Sequence, residues 1–149
     1  IATLLLISDA LGIGLPALVD MDRSPGLRVT RAGTGAVLWR GTAGGQAVLV
    51  AGTEPPDVVE LWDWTLGPDE SHSSPAHTAG TRELLLVLDG QVAVRVSQHT
   101  EVLAPGDSAS FAGDLPHGYV SAGPQVARFA LTVFEPGVGP GSRSEATDA

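Results

Sequence analysis

The chain has 149 residues with 17 acidic groups against 8 basic ones, so its formal charge is -9; the basic residues are all arginine, and lysine, cysteine and asparagine are absent. These absences exclude a Walker-type phosphate loop, a Schiff-base amine, disulfides, thiolate-ligated metals and N-glycosylation. The acidic excess argues against this stretch itself gripping a phosphate backbone, which depends on lysine and arginine displacing counterions. The chain opens with Leu4, Ile7, Leu11, Leu15 and Leu18 at spacings of three and four, a helical stripe from which Ser8 and Asp9 fall away. Gly12 is placed to stop this first helix, and Pro16 to open a short second one over Pro16 to Val19. From Leu27 the pattern changes to short strands: Leu27 to Arg31, Ala36 to Arg40, Gln46 to Ala51, Val58 to Leu66, Arg82 to Leu88, Gln91 to Val96, Glu101 to Leu103, Ser108 to Phe111, Gly118 to Ser121 and Val126 to Phe134. Asp89-Gly90 reads as a hairpin turn, and the last strand alternates with Ala127, Phe129, Leu131 and Val133 on one face.

Many short strands at regular spacing predict a mainly β fold, a sandwich or barrel, with two short helices in front. The expected organisation is helices in 1–20, a polar linker in 21–26, the barrel in 27–136 and a loose tail in 137–149 rich in glycine, serine and charge. No apolar run exceeds five residues, as in Leu84 to Leu88, and Ile1 to Ile7 lacks the basic flank and cleavage site of a signal peptide. The expectation is therefore a cytoplasmic protein without membrane contact.

Three of the four histidines and one glutamate gather in two motifs. The first runs from Gly67 through His72, His77 and Glu83 to Gly90; the second runs from Pro105-Gly106-Asp107 through Pro116-His117 and Tyr119 to Ser121. His77 and Glu83 are an even number of residues apart, so on an extended strand they can share a face. With His117 they make two imidazoles and a carboxylate, a donor set suited to divalent iron, manganese, nickel or zinc. The plainer reading makes them polar groups lining the barrel, bonded to one another. His72 has the wrong parity for that face but could add a fourth ligand from a loop, and His99 falls at a solvated hairpin tip. Trp62 and Trp64 alternate on one strand face, and such aromatics, like Tyr119 and Phe111, are more often core than ligand platform. Arg82 and Arg128 are the arginines an anionic effector would use, although lone surface arginines usually do nothing specific.

These motifs resemble the paired signatures of the cupin superfamily over residues 58 to 135, most specifically in Glu83 with six residues to Gly90, in Pro105-Gly106-Asp107 and in Pro116-His117. The resemblance implies a double-stranded β-helix, a jelly-roll-like barrel, with metal ligands at His77, Glu83 and His117. Ala79 stands where the family's second histidine falls, and Ser121 where its asparagine often does, so one usual ligand is missing; no definite cofactor is implied, and a divalent metal (iron, manganese, nickel or zinc) stays open. The segment Leu5 to Val19 is similar to the last two helices of the lambda-repressor-like helix-turn-helix domain of XRE-family regulators, a class that includes proteins joined to a cupin by a short linker. That pairing implies a base-reading helix upstream of Ile1, DNA contacted through that upstream domain and not through this chain alone, and a homodimer matching a palindromic site. The expected function is an effector-sensing domain of a bacterial transcriptional regulator, not an enzyme. A small molecule would enter the barrel beside His77, Glu83, His117, Trp64 and Tyr119. The alternative is a metal-dependent cupin enzyme, a dioxygenase or isomerase.

Overall fold

A computed structural model describes residues 1–19 and 26–139. Among them, helices α1 (Ala2–Leu11) and α2 (Leu15–Leu18) precede strands β1 (Ala36–Arg40), β2 (Gln46–Gly52), β3 (Val58–Leu66), β4 (Ser71–Ser74), β5 (Arg82–Asp89), β6 (Val92–Val96), β7 (His99–Leu103), β8 (Ser108–Ala112), β9 (His117–Ser121) and β10 (Ala127–Glu135). They form a six-stranded sheet, β1-β2-β3-β10-β5-β8, and a four-stranded sheet, β4-β9-β6-β7, with every pairing antiparallel. The mainly β fold is therefore as expected. The linker expected over 21–26 lies outside the described residues except for Gly26, as does the tail from 140 onward.

The inward faces follow the period-two rule. On β3 the buried positions are Val58, Glu60, Trp62, Trp64 and Leu66; on β10 they are Ala127, Phe129, Leu131, Val133 and Glu135. Their register sets Trp62 opposite Leu131 and Trp64 opposite Phe129, whose rings stack at 5.8 Å with 6° between planes. Glu70, between β3 and β4, is buried and accepts the N–H groups of Ala43 and Gly67 at 2.8 Å each, which latches the β1–β2 turn to the end of β3. A Cβ at Gly41 or Gly45 would collide with that carboxylate, so the latch requires glycine at both positions.

Four expectations are corrected. Leu27 to Arg31 forms no strand: no neighbouring strand pairs with it, and Leu27 and Val29 stand exposed. Asp89-Gly90 is not a hairpin, because β5 and β6 belong to different sheets; it is a corner. Its turn still demands glycine, with φ 68° and the backbone of Val126 and Ala127 packed against it. Ser71–Ser74, too polar to read as a strand, is held as an edge strand by its pairing with β9.

The fourth correction concerns α1. Gly12 ends the helix as expected, in the left-handed conformation with its N–H bonded to Ser8 O at 2.8 Å. The covered face, however, is Ile1, Leu4, Leu5 and buried Ser8, while Leu6 (69% exposed) stands at the rim of an adjoining cavity and Ile7 and Leu11 (55% exposed) face outward. Three-and-four spacing identifies a helix, but here leucines occupy both faces, and docking rather than periodicity decides which one is covered. Helix α2 starts one residue earlier than expected, with Pro16 in its first turn and Leu15 fully buried.

Candidate functional site

Glu83 enters the barrel from β5, on the same inward phase as Leu85 and Val87. His117 opens β9 directly after Pro116 and is buried. His77 comes from the loop between β4 and β5, not from a strand, so strand parity does not explain its position; its N–H is bonded to Gly113 O at 3.0 Å. The three side chains nevertheless converge: Glu83 Oε1 lies 3.3 Å from His77 Nε2 and 3.0 Å from His117 Nε2. Tyr119 donates its hydroxyl to Glu83 Oε2 at 2.5 Å.

The protonation pattern follows from these contacts. Burial would raise the Glu83 carboxyl, but His117, His77 and Tyr119 overcome it and hold the pKa at about 2. Burial would lower His117, but the Glu83 carboxylate raises it. Burial, and then Glu83, push the Tyr119 phenol well above its ordinary value. Because Leu115 O, 2.7 Å from His117 Nδ1, can only accept, Nδ1 carries hydrogen and Nε2 is the atom aimed at the carboxylate. An unprotonated Nε2 would set a lone pair against a carboxylate lone pair, so either a proton or a cation belongs between them.

The donor atoms of His77, Glu83 and His117 all lie within 4.8 Å of one another. Ligands ~2.0–2.2 Å from one ion at tetrahedral or octahedral angles stand ~2.8–3.6 Å apart, which matches the two imidazole–carboxylate separations. Glu83 Oε1, 1% exposed, also makes no properly aligned hydrogen bond although it is wholly buried. The residues thus fit a divalent metal, through the His77, Glu83 and His117 set anticipated from the sequence.

The site lies in a cavity of about 280 Å³. Trp64 and Tyr119, expected beside the effector, line it, as does His72. His72 stands outside the metal group; it packs against Trp64 at 4.9 Å and Tyr119 at 6.5 Å, and burial followed by His117 lowers its pKa to about 4. Arg82 and Arg128 stay out of the cavity: Arg128 forms a two-armed pair with Asp63, and Arg82 lies 4.0 Å from Asp114. His99 is exposed at the start of β7. Three features escaped the sequence reading. Glu60 and Glu135 both line the cavity, and α1 with its cap residue Ile1 covers it, contributing Ile1, Leu5, Leu6 and Asp9. Extending the inward phase of β3 and β10 by one step, through Trp62 to Glu60 and through Val133 to Glu135, would have found the two carboxylates.

A barrel of two antiparallel sheets around a His-Glu-His cluster is a cupin fold. Residues 62–134 match the family model of the cupin domain, and this stretch is a cupin domain. Among solved structures, an HTH_3 family transcriptional regulator from Vibrio cholerae is similar at 29% identity (TM-score 0.50), with the match covering 52% of this chain and 43% of that one. The Cupin_2 domain of an XRE family transcriptional regulator from Enterobacter cloacae is similar at 26% identity (TM-score 0.51), covering 52% and 82%. The polyketide cyclase RemF from Streptomyces resistomycificus shares the fold at 19% identity (TM-score 0.55), covering 73% and 80%. No curated protein matches the chain in sequence. No helix among the described residues is long and apolar enough to cross a membrane.

Proposed function

We propose that this chain is the sensing portion of a DNA-binding transcriptional regulator, in which a small molecule held in the cupin cavity alters DNA binding by a head attached at the N-terminal side. The observation that carries this reading is α1 lying over the cavity and lining it with Ile1, Leu5 and Asp9. A ligand inside then touches the segment that resembles the end of a helix-turn-helix domain, and a ligand shifts an equilibrium only through contacts that differ between two states. The likeness to two regulators at 26% and 29% identity supports the same reading. Residues 1–20 belong to the head, 21–26 to the linker, 27–136 to the barrel and 137–149 to a tail. A homodimer is supported by the outer face of the six-stranded sheet, where Leu61, Leu84 and Leu86 are exposed; Leu61 and Leu84 flank Thr132 in register.

The second reading, a metal-dependent enzyme, draws on the convergence of His77, Glu83 and His117. A metal held there would supply a Lewis acid to an oxygen of the bound molecule. His117 Nδ1, fixed by Leu115 O, keeps Nε2 aimed at the site, and Tyr119 fixes the other oxygen of Glu83. Fluorescence anisotropy separates the two readings. The intact protein with its upstream residues should bind its own promoter DNA saturably, with affinity falling steeply as salt rises. Absence of DNA binding at 50 mM salt would defeat the sensing proposal.

A further inference from the structure

The cavity has a second polar centre besides the His-Glu-His cluster. Glu60 is 3% exposed; its Oε2 accepts the Trp62 indole N–H at 2.9 Å, while its Oε1 has no partner at all. Glu135, also buried, lies diagonal to it across the β3–β10 ladder, where Glu60 faces Val133 and Glu135 faces Val58. Asp9 of α1 adds a third acidic group to the lining, and among the described residues no arginine lines the cavity. Glu83 has two imidazoles against it, whereas no positive group offsets Glu60, and of the groups acting on Glu135 only His77 favours its charge. An independent orphan stands nearby: the indole N–H of Trp64, 3% exposed and lining the same cavity, has no acceptor. Buried polar atoms without partners are uncommon, and those lining a cavity are satisfied when a ligand fills it.

We propose that Glu60, with Glu135 beside it, binds the ammonium group of a small organic amine, whose apolar body lies against Trp62 and Trp64 and whose acceptor takes the Trp64 N–H. This inference rests on the reading that the cavity holds a small molecule. An ammonium supplies both things missing here, a positive charge between buried carboxylates and N–H donors for Glu60 Oε1. The indole rings of Trp62 and Trp64, 6.4 Å apart, both line the cavity and give the ligand's apolar body aromatic surface to pack on. A carboxylate or phosphate ligand would find no arginine among the described residues to pair with at this end and would oppose ionisation of Glu60 and Glu135. The volume of about 280 Å³ suits a ligand at or below the ~300 Å³ lower end of ordinary pockets. The carboxyl of Glu60, pushed up by burial and then by Glu135, keeps a proton in the empty cavity, and the arriving ammonium takes that proton's place.

Isothermal titration calorimetry on the full chain, in chelator at pH 7, tests this with three probes of one shape: benzylammonium, benzyl alcohol and benzoate. Benzylammonium should bind at least about ten-fold more tightly than either of the others, and Glu60→Gln should abolish that preference. Glu135→Gln, which should weaken the preference, keeps the test decisive if the first variant fails to fold. Three results overturn the inference: benzoate or benzyl alcohol binding as tightly as the amine, a preference that survives both substitutions, or no heat with any probe. Binding of benzoate alone would leave the sensing proposal standing, since that proposal is judged separately by the promoter-DNA assay.

Discussion

Replacing Glu60 with glutamine should make the protein more stable at alkaline pH. Burial, followed by the Glu135 charge, raises the Glu60 carboxyl from its ordinary 4.5 to about 8; the Trp62 N–H opposes this, and Glu83 adds to it. Because the folded pKa lies above the unfolded one, the folded state holds the extra proton. The stability this represents is complete below pH 4.5 and disappears as pH rises to about 8. At ~1.4 kcal/mol per pKa unit, the loss across that window is on the order of 5 kcal/mol, large against a typical total of ~5–15 kcal/mol. Glutamine keeps an oxygen for Trp62 Nε1 and carries no charge, so the variant should lack this slope. Urea unfolding of metal-free protein at pH 5, 6, 7 and 8 measures it. The advantage of Glu60→Gln should be small at pH 5 and grow by a few kcal/mol by pH 8. A difference that stays flat across these four pH values would refute the assignment of Glu60 as a buried carboxyl without a cation.

Two further predictions concern the His-Glu-His cluster. Tyr119→Phe removes the hydroxyl from a buried charged acceptor while keeping the ring against Phe129 and Trp64. It should cost about 2–3 kcal/mol in thermal unfolding at pH 7; a loss under about 0.5 kcal/mol, or the same loss in a Glu83→Gln background, would contradict the bond. After incubation with iron, manganese, nickel or zinc, elemental analysis should find one equivalent per chain, lost in His117→Ala and retained in His72→Ala. Equal loss in both would show that His72 is a ligand and that the three-residue set is incomplete.

How legible these features were depended on what kind of physics fixed them. The barrel strands could be read because burial on alternate residues writes a period of two, clearest in Phe129, Leu131 and Val133. The ligand set could be read because His77, Glu83 and His117 sit in motifs with fixed spacing, even though His77 reaches Glu83 from a loop. β4 could not be read: Ser71 to Ser74 has no strand-forming composition, and its conformation comes from pairing with β9. Leu27 to Arg31 has the alternation of a strand but no neighbour to bond. Asp89-Gly90 carries the right turn chemistry for a hairpin, yet only the three-dimensional pairing shows that it connects two sheets. Glu60 and Glu135 lay hidden for a different reason, since a charge on the inward phase of an apolar strand breaks the pattern used to find the core.

That broken pattern is informative about function. A barrel needing only stability would place apolar residues at 60 and 135, because an unpaired buried carboxyl costs stability that packing does not return. Local rules are broken at functional positions more often than elsewhere, and here the breaks lie on the cavity wall that α1 covers. Helix α1 is held inward by partly buried Ile1, Leu4 and Leu5 and shows Ile7 and Leu11 to the outside. It therefore faces the cavity on one side and is apolar on the other. An ammonium bound beside Glu60 and Glu135 changes the electrostatic environment of Asp9 on that helix, since Asp9 and Glu135 already act on each other. This gives the sensing proposal a second physical route beside direct contact with α1: the charge of the bound molecule is felt at Asp9 through Glu135.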